Sequence, residues 1–298
     1  MATTQHLRRR IKSVENTRQI TRTMEMVATS KLKRAQDRVV TARPYAAALT
    51  DVIRDLYSPE LEEQFPLLRQ ASEEVSRVAL LLITSNRGLC GGFNANLIKH
   101  ARERITELEA TGAAVELHLV GRKGIGFFRY LGRAIMSARE DIGDRPSADH
   151  AAELVDPLVA SFERGELDAV EVIYAHFESA MSTPPVTQRI LPIEAPGTGN
   201  GNSGSKGETK GTPNYILKPS AEAIVREVLP MYVRNAMYRA LVETAAAEQG
   251  ARRTAMKNAT DNAGDMIDSL RRTLNRARQA KITQEIAEIV GGADALAG

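Results

Sequence analysis

An α/β domain inserted between two long terminal helices, which pair as an antiparallel coiled coil, is the fold class that this 298-residue chain predicts. Three observations carry that expectation. Residues 231–290 contain no proline and read as one helix, on the order of 90 Å long at about 1.5 Å of rise per residue, which exceeds the span of a compact domain. The first 57 residues place apolar side chains at alternating steps of four and three. Between these two regions the pattern changes to short apolar runs that alternate with helix-length segments.

The N-terminal seam runs through Leu7, Ile11, Val14, Ala28, Leu32, Ala35, Val39, Ala42, Ala46, Leu49, Ile53 and Leu56. Arg18, Thr21 and Glu25 interrupt it. Because Ile20, Met24 and Val27 stand beside the interruptions, the seam is expected to drift across the helix there. The C-terminal seam passes through Val228, Met231, Tyr238, Val242, Ala245, Met256, Ala259 and Ala263, and continues after a one-residue slip as Ile267, Leu270, Leu274 and Ala277. Alanine dominates both seams, which lets two helices approach closely.

In the middle, 75–84 reads as a buried strand, 93–109 as a helix, 114–120 as a strand and 122–131 as a short helix. A short strand at 134–137, a helix at 148–164 and strands at 169–177 and 186–193 follow. Strands separated by helices of ten or more residues predict a parallel, doubly wound, Rossmann-like sheet. The expected organisation is an N-terminal coiled-coil helix over 1–57, the α/β domain over 75–195, a glycine- and serine-rich loop over 197–212 that can bury almost nothing, and a C-terminal coiled-coil helix over 213–298.

Composition excludes several function classes. The longest apolar run, Val78 to Ile83, is strand-sized and far short of the roughly 18 residues of a membrane span. The single cysteine, Cys90, rules out an internal disulfide and any zinc site built on two or more thiolates, which makes a reducing compartment the expectation. The basic first fourteen residues are not read as a targeting segment, since Leu7, Ile11 and Val14 already belong to the seam. Residues 1–57 carry 12 Lys and Arg against 5 Asp and Glu, yet no aromatic residue precedes Tyr45, so no base-stacking platform accompanies that charge. A solvated helix face, or one that meets an acidic protein partner, fits better than nucleic acid.

Ser85-Asn86-Arg87-Gly88-Leu89-Cys90-Gly91-Gly92-Phe93-Asn94 follows the first strand and opens a helix, where an α/β domain would hold a phosphate. Its spacing matches neither the dinucleotide fingerprint nor the P-loop, and Val120-Gly121-Arg122-Lys123-Gly124-Ile125-Gly126 is equally incomplete. The five histidines form no spaced cluster, and Cys90 reads as a small buried side chain. An α/β enzyme using this loop would need a catalytic group that the sequence does not offer. A nucleic-acid adaptor built on the basic helix would announce itself by salt-sensitive binding.

Four motifs resemble, in order, the gamma subunit of F-type ATP synthase. They are the run Arg10 to Ala28, the Ser85 to Asn94 loop, the run Ala255 to Ala263, and the tail from Ile282-Thr283-Gln284-Glu285 to Ala293. The resemblance spans essentially the whole chain. It implies a central rotor shaft with no catalytic site and no cofactor or metal of its own. The expected partners are three alpha and three beta subunits, an epsilon subunit and a ring of c subunits, with one copy of this chain per complex. No nucleic acid is expected, and membrane association would be indirect, on the cytoplasmic face of a bacterial inner membrane.

By residue-for-residue match, the resemblance puts Arg278, Gln279, Thr283 and Glu285 against a loop of beta, and Met24 and Arg252 at a lower contact with the beta lever region. Ile282, Ile286, Ile289 and Val290 would form an apolar shaft tip, and Tyr215 and Lys218 the rotor foot. The chain departs from the family pattern at Asn86, Gly250, Arg253, Gly291 and Lys218-Pro219, and its glycine-rich loop carries no cysteine for a thiol switch.

Overall fold

The computed structural model describes residues 4–56, 64–68, 75–179, 182–193 and 221–297. The loop at 197–212 and the foot residues Tyr215 and Lys218 lie outside the described residues. The chain divides into two compact units, Met1–Ala28 with Arg252–Gly298, and Thr29–Ala251. Helix α1 spans Thr4–Leu56 and helix α5 Ala221–Ala297, so both terminal helices contribute a segment to each unit.

In the larger unit the order is β1 (Arg77–Ile83), α2 (Phe93–Ala110), β2 (Ala114–Val120), α3 (Arg122–Tyr130), β3 (Ser137–Arg139), α4 (Ala148–Glu163), β4 (Ala169–Ala175) and β5 (Pro185–Leu191). The sheet order is β3-β2-β1-β4-β5. β1 pairs in parallel with β2, Arg77 opposite Ala114 and Ile83 opposite Val120, and with β4, Val78 opposite Ala169.

The all-parallel expectation fails at the last strand, for β5 is antiparallel to β4. The nine residues between Ala175 and Pro185 cannot make the crossover of a dozen or more that a parallel return requires. β3 also lies later than expected. Ile135 and Met136 only lead into it, and the Met136 N–H reaches Leu117 O at 2.9 Å before His118 and Ser137 come into register.

Alternating residues of the fully buried central strands face two cores. Ala79, Leu81 and Ile83 of β1 meet Leu154, Val155, Leu158 and Phe162 of α4, together with Val225, Leu229, Val233 and Met237 of α5. Leu80 and Leu82 face the other way, toward Phe93, Leu97, Ala101 and Ile105 of α2, Ile125 and Phe128 of α3, and Leu32, Ala35 and Val39 of α1.

Helix α5 begins ten residues before the predicted Met231 and carries Pro230 inside it. The hydrogen bond that Pro230 forgoes is offset by the burial of Val225, Leu229 and Val233 around it. Met231, assigned to the seam from sequence, is exposed, because the apolar face that α5 presents here runs through Leu229, Val233, Ala236 and Ala240.

Two polar clusters tie these layers together. Glu171 of β4 is only 2% exposed and receives Nε and Nη2 of Arg104 from α2 at 2.8 and 2.7 Å, and Nη2 of Arg189 from β5 at 3.2 Å. Burial pushes the Glu171 carboxyl up, but the Arg104 hydrogen bonds and charge, joined by Arg189, outweigh it and hold the group below its ordinary value. Asp144, after β3, pairs with Lys31 of α1 and accepts Nε2 of Gln249 of α5 at 3.1 Å.

Candidate functional site

In the smaller unit α1 and α5 run antiparallel. The Thr21 and Thr260 hydroxyls lie 2.8 Å apart, and Arg271 Nη2 donates to Glu15 Oε1 at 2.8 Å. The Arg18 guanidinium lies beside Gly264, where an added Cβ would stand 3.8 Å from it. Small residues at this crossing allow the close approach that the alanine-rich seams predict.

The predicted drift does not occur. Leu7 and Ala28 are buried and Ile11, Val14, Thr21 and Glu25 half-buried, so the four-three spacing continues through Thr21 and Glu25 with Arg18 exposed in its register, while Ile20 and Val27 are 60% and 51% exposed. The slip on α5 is absent as well. Met256, Thr260, Ala263, Ile267 and Leu270 are all buried at unbroken four-three spacing, with Thr260 in the place that sequence reasoning gave to Ala259. A threonine can stand in a seam because its hydroxyl bonds back to its own helix, here to Met256 O at 2.8 Å, and leaves its methyl to pack.

This register leaves two apolar surfaces uncovered among the described residues. Ile20, Met24 and Val27 sit at i, i+4 and i+7 on α1, outside the seam, with Met24 half-buried between its exposed neighbours. A second surface lies at the far end of α5. With Thr21 opposite Thr260, the first helical residue, Thr4, falls opposite about residue 277, and the helix beyond it has no described companion. There Arg278, Gln279, Thr283 and Glu285 are exposed, as are Ile282, Ile286, Ile289 and Val290, from 43% at Ile282 to 71% at Ile289.

The polar side chains of this stretch bond along the helix. Lys281 pairs with Glu285 at 3.4 Å, and Gln284 donates to Glu288 at 2.9 Å. The structure thus gathers the tip residues and four contact candidates into one stretch, 278–290. Arg252 is buried, on the segment of α5 that packs with α1. The exposed Ile20 and Val27 were missed as a surface because their closeness to the polar interruptions made them look like the seam itself. The intact four-three count through positions 18, 21 and 25 was the signal.

The Ser85–Asn94 loop spends its polar groups on its own shape. Asn94 Oδ1 accepts from Ser85 N at 3.0 Å, its Nδ2 points at Cys90 Sγ at 3.1 Å, and Ser85 Oγ donates to Arg87 O at 2.6 Å. Asn86 spans the neighbouring turn: its amide donates to Glu140 O and Ile142 O and its carbonyl accepts from Arg122 N. Cys90 is buried beneath the loop. Gly121 has φ of +94°, and a Cβ there would meet Thr84 O at 2.1 Å, so this glycine serves a tight strand-to-helix turn. Among the described residues, no group of three or more His, Cys, Asp or Glu is placed to hold a metal.

The family model described as ATP synthase matches residues 3–296. The chain is 60% identical over 298 residues to the ATP synthase gamma chain of Gemmatimonas aurantiaca, covering all of both chains, and 47% identical to that of Moorella thermoacetica over 99% of this chain and 100% of the relative. Among solved structures, a chain from the central stalk and c-ring of the Tetrahymena thermophila mitochondrial ATP synthase matches with a TM-score of 0.59 at 25% identity, covering 80% of this chain and 99% of that one. A chain from the Euglena gracilis mitochondrial ATP synthase shares the fold, with a TM-score of 0.65 at 18% identity over 98% of this chain and 94% of that one. With its terminal helices paired antiparallel and an α/β domain between them, and with relatives matched end to end, the chain belongs to the ATP synthase gamma chain family.

Proposed function

We propose that this chain is the central rotor shaft of an F-type ATP synthase, turning with a c-ring and driving three alpha and three beta subunits through their catalytic states, with an epsilon subunit alongside. The observation that carries this reading is the bare end of α5: four branched aliphatic side chains exposed on a helix that has outrun its companion. Exposed aliphatic surface is costly in water, at about 25 cal/mol per Å². A smooth apolar surface also suits a turning contact, since it offers no directional hydrogen bond to fix one angle. Among the described residues, no helix is long and apolar enough to cross a membrane. In this reading the chain is attached through a ring of other subunits at the cytoplasmic face of a bacterial inner membrane.

In this reading the exposed tip, Ile282, Ile286, Ile289 and Val290, turns inside the headpiece. Arg278, Gln279, Thr283 and Glu285 supply angle-dependent contacts to beta. Met24 lies within the Ile20–Val27 stripe and marks a second contact lower on the shaft, with Arg252 supporting it from within the helix pair. Tyr215 and Lys218 belong to the foot. The chain itself carries no catalytic site, and ATP chemistry stays with its partners.

The test is copurification of a tagged chain with alpha and beta subunits, followed by ATP hydrolysis per assembled complex for Gln279→Ala, Thr283→Ala and Glu285→Ala. Alanine keeps the helix. Each variant is expected to assemble and turn over more slowly, because a charge-assisted hydrogen bond is worth about 1.5 to 3 kcal/mol. Unchanged turnover in all three would reduce this stretch to a bearing surface and remove the contact assignment. Failure to recover alpha and beta would remove the shaft reading.

A further inference from the structure

The larger unit contains a cavity of about 420 Å³ lined by α1, the segment after β3, the start of α4 and one residue of α5. Its lining is cationic: Lys31, Arg34, Arg38 and Arg145 stand against two carboxylates, Asp141 and Asp144. Both carboxylates are already committed. Asp144 pairs with Lys31, and Asp141 accepts Nε and Nη2 of Arg139 at 2.8 and 2.7 Å, an arrangement that depresses its pKa to about 2.

What remains, among the described residues, is a set of guanidinium groups without a carboxylate partner. Among the described residues, Arg34 donates to the Ser30 hydroxyl at 3.1 Å, and Arg38 to a backbone carbonyl, that of Asp144, at 3.3 Å. The His150 ring adds a donor. Its Nδ1 accepts from Ser147 N at 3.2 Å, which leaves Nε2 to carry the ring proton. These groups come from positions more than a hundred residues apart and converge on one concavity, whereas solvated surface arginines spread over convex surface. No aromatic side chain lines the cavity, so nothing there would stack on a nucleotide base.

We propose that this cavity binds a multivalent phosphate anion, with Arg34, Arg38 and Arg145 as its principal ligands. Guanidinium groups match phosphate oxygens in forked, charge-assisted pairs. The volume falls within the range of small-ligand pockets, and it accommodates a diphosphate more readily than a single phosphate. The site recognises the phosphates alone. Free pyrophosphate and the diphosphate of a nucleotide are therefore two sources of one chemistry, and the base contributes nothing. This inference stands apart from the rotor reading, because it concerns binding by the chain itself.

The experiment is calorimetric titration of the full-length chain with pyrophosphate, inorganic phosphate and ADP, without divalent metal and at matched ionic strength. Arg34→Gln, Arg145→Gln and the control Lys33→Gln would be titrated in parallel. Arg34, Arg145 and Lys33 are exposed, so all three variants are expected to fold, which circular dichroism checks. Saturable binding at one site is expected, with pyrophosphate and ADP similar and phosphate weaker. Each arginine variant should bind roughly fivefold more weakly or worse, and the lysine control should match the unmutated chain. The proposal is overturned by absence of saturable pyrophosphate binding, by equal affinity in the arginine and control variants, or by ADP binding much more tightly than pyrophosphate.

Discussion

At the scale of single residues, several buried polar groups are hydrogen-bonded by neighbours from distant elements. Glu171 is among the most deeply buried. Replacing it with glutamine removes the charge that holds Arg104 and Arg189, and should destabilise the chain by about 3 kcal/mol in denaturant titrations, since breaking a buried ion pair strands its partner. Its folded pKa lies below the ordinary 4.5, so its contribution is present above that pH and is lost as pH falls through the folded value. Stability of the unmutated chain should therefore drop on acidification below about pH 4.5, and this acid-side slope should be shallower in Glu171→Gln.

The Thr21–Thr260 contact makes a finer test. Thr21→Val and Thr260→Val each leave a hydroxyl facing a methyl and should cost about 1 kcal/mol, whereas the double variant restores an apolar contact and should cost less than the two together. A double-mutant cycle by thermal unfolding measures the coupling, and strict additivity would mean that these hydroxyls do not meet. This pair also shows where sequence reading fell short. Counting only apolar residues made Thr21 look like a break and put Ala259 in the place of Thr260, although both threonines occupy seam positions and both hydroxyls bond back to their own helices.

At the scale of elements, local chemistry decides what each segment can become. The strand runs at 77–83, 114–120 and 169–175 were legible because they are apolar, short and bounded by turn residues. The direction of β5 was not, since it depends on the length of one connection and not on the composition of the strand. The early start of α5 was hidden by Pro230, whose local penalty is overridden by core contacts made by residues distant in sequence. The Gly121 turn can be tested directly. Gly121→Ala places a methyl against Thr84 O at a positive φ, and should cost more than about 2 kcal/mol in unfolding experiments, whereas Gly126→Ala, with open space around it, should be close to neutral. On α5, Ala280→Pro breaks the unaccompanied end, at about 3 kcal/mol or more, and should impair assembly where alanine at Gln279 does not.

At the scale of the whole molecule, the chain divides its tasks between a compact α/β unit threaded by both terminal helices and a helix pair whose long member is exposed over 278–290. The helix pair and the α/β domain were visible from periodicity. Which of the exposed side chains meet a partner was not, because periodicity reports which side chains are buried within the chain and is silent about contacts to another. The purified chain alone is expected to show no ATP turnover, and hydrolysis that disappears on changing Cys90 or Gly91 would overturn that. Deleting residues 198–211, a stretch rich in glycine and polar residues with no large apolar side chain, should leave assembly with alpha and beta intact by size-exclusion chromatography.

Rotation of this chain against alpha and beta is what the rotor reading requires. Its most direct test is single-molecule observation of a complex of three alpha and three beta subunits fixed to a surface, with a bead attached to a cysteine placed at Tyr130 and Cys90 replaced by serine. Tyr130 is 88% exposed on the α/β unit. With ATP supplied, the bead is expected to rotate continuously in one direction, in steps that divide the circle by the number of beta subunits, and to slow in Glu285→Ala. A complex that hydrolyses ATP at its full rate while the bead on this chain only fluctuates about a fixed angle would contradict the account.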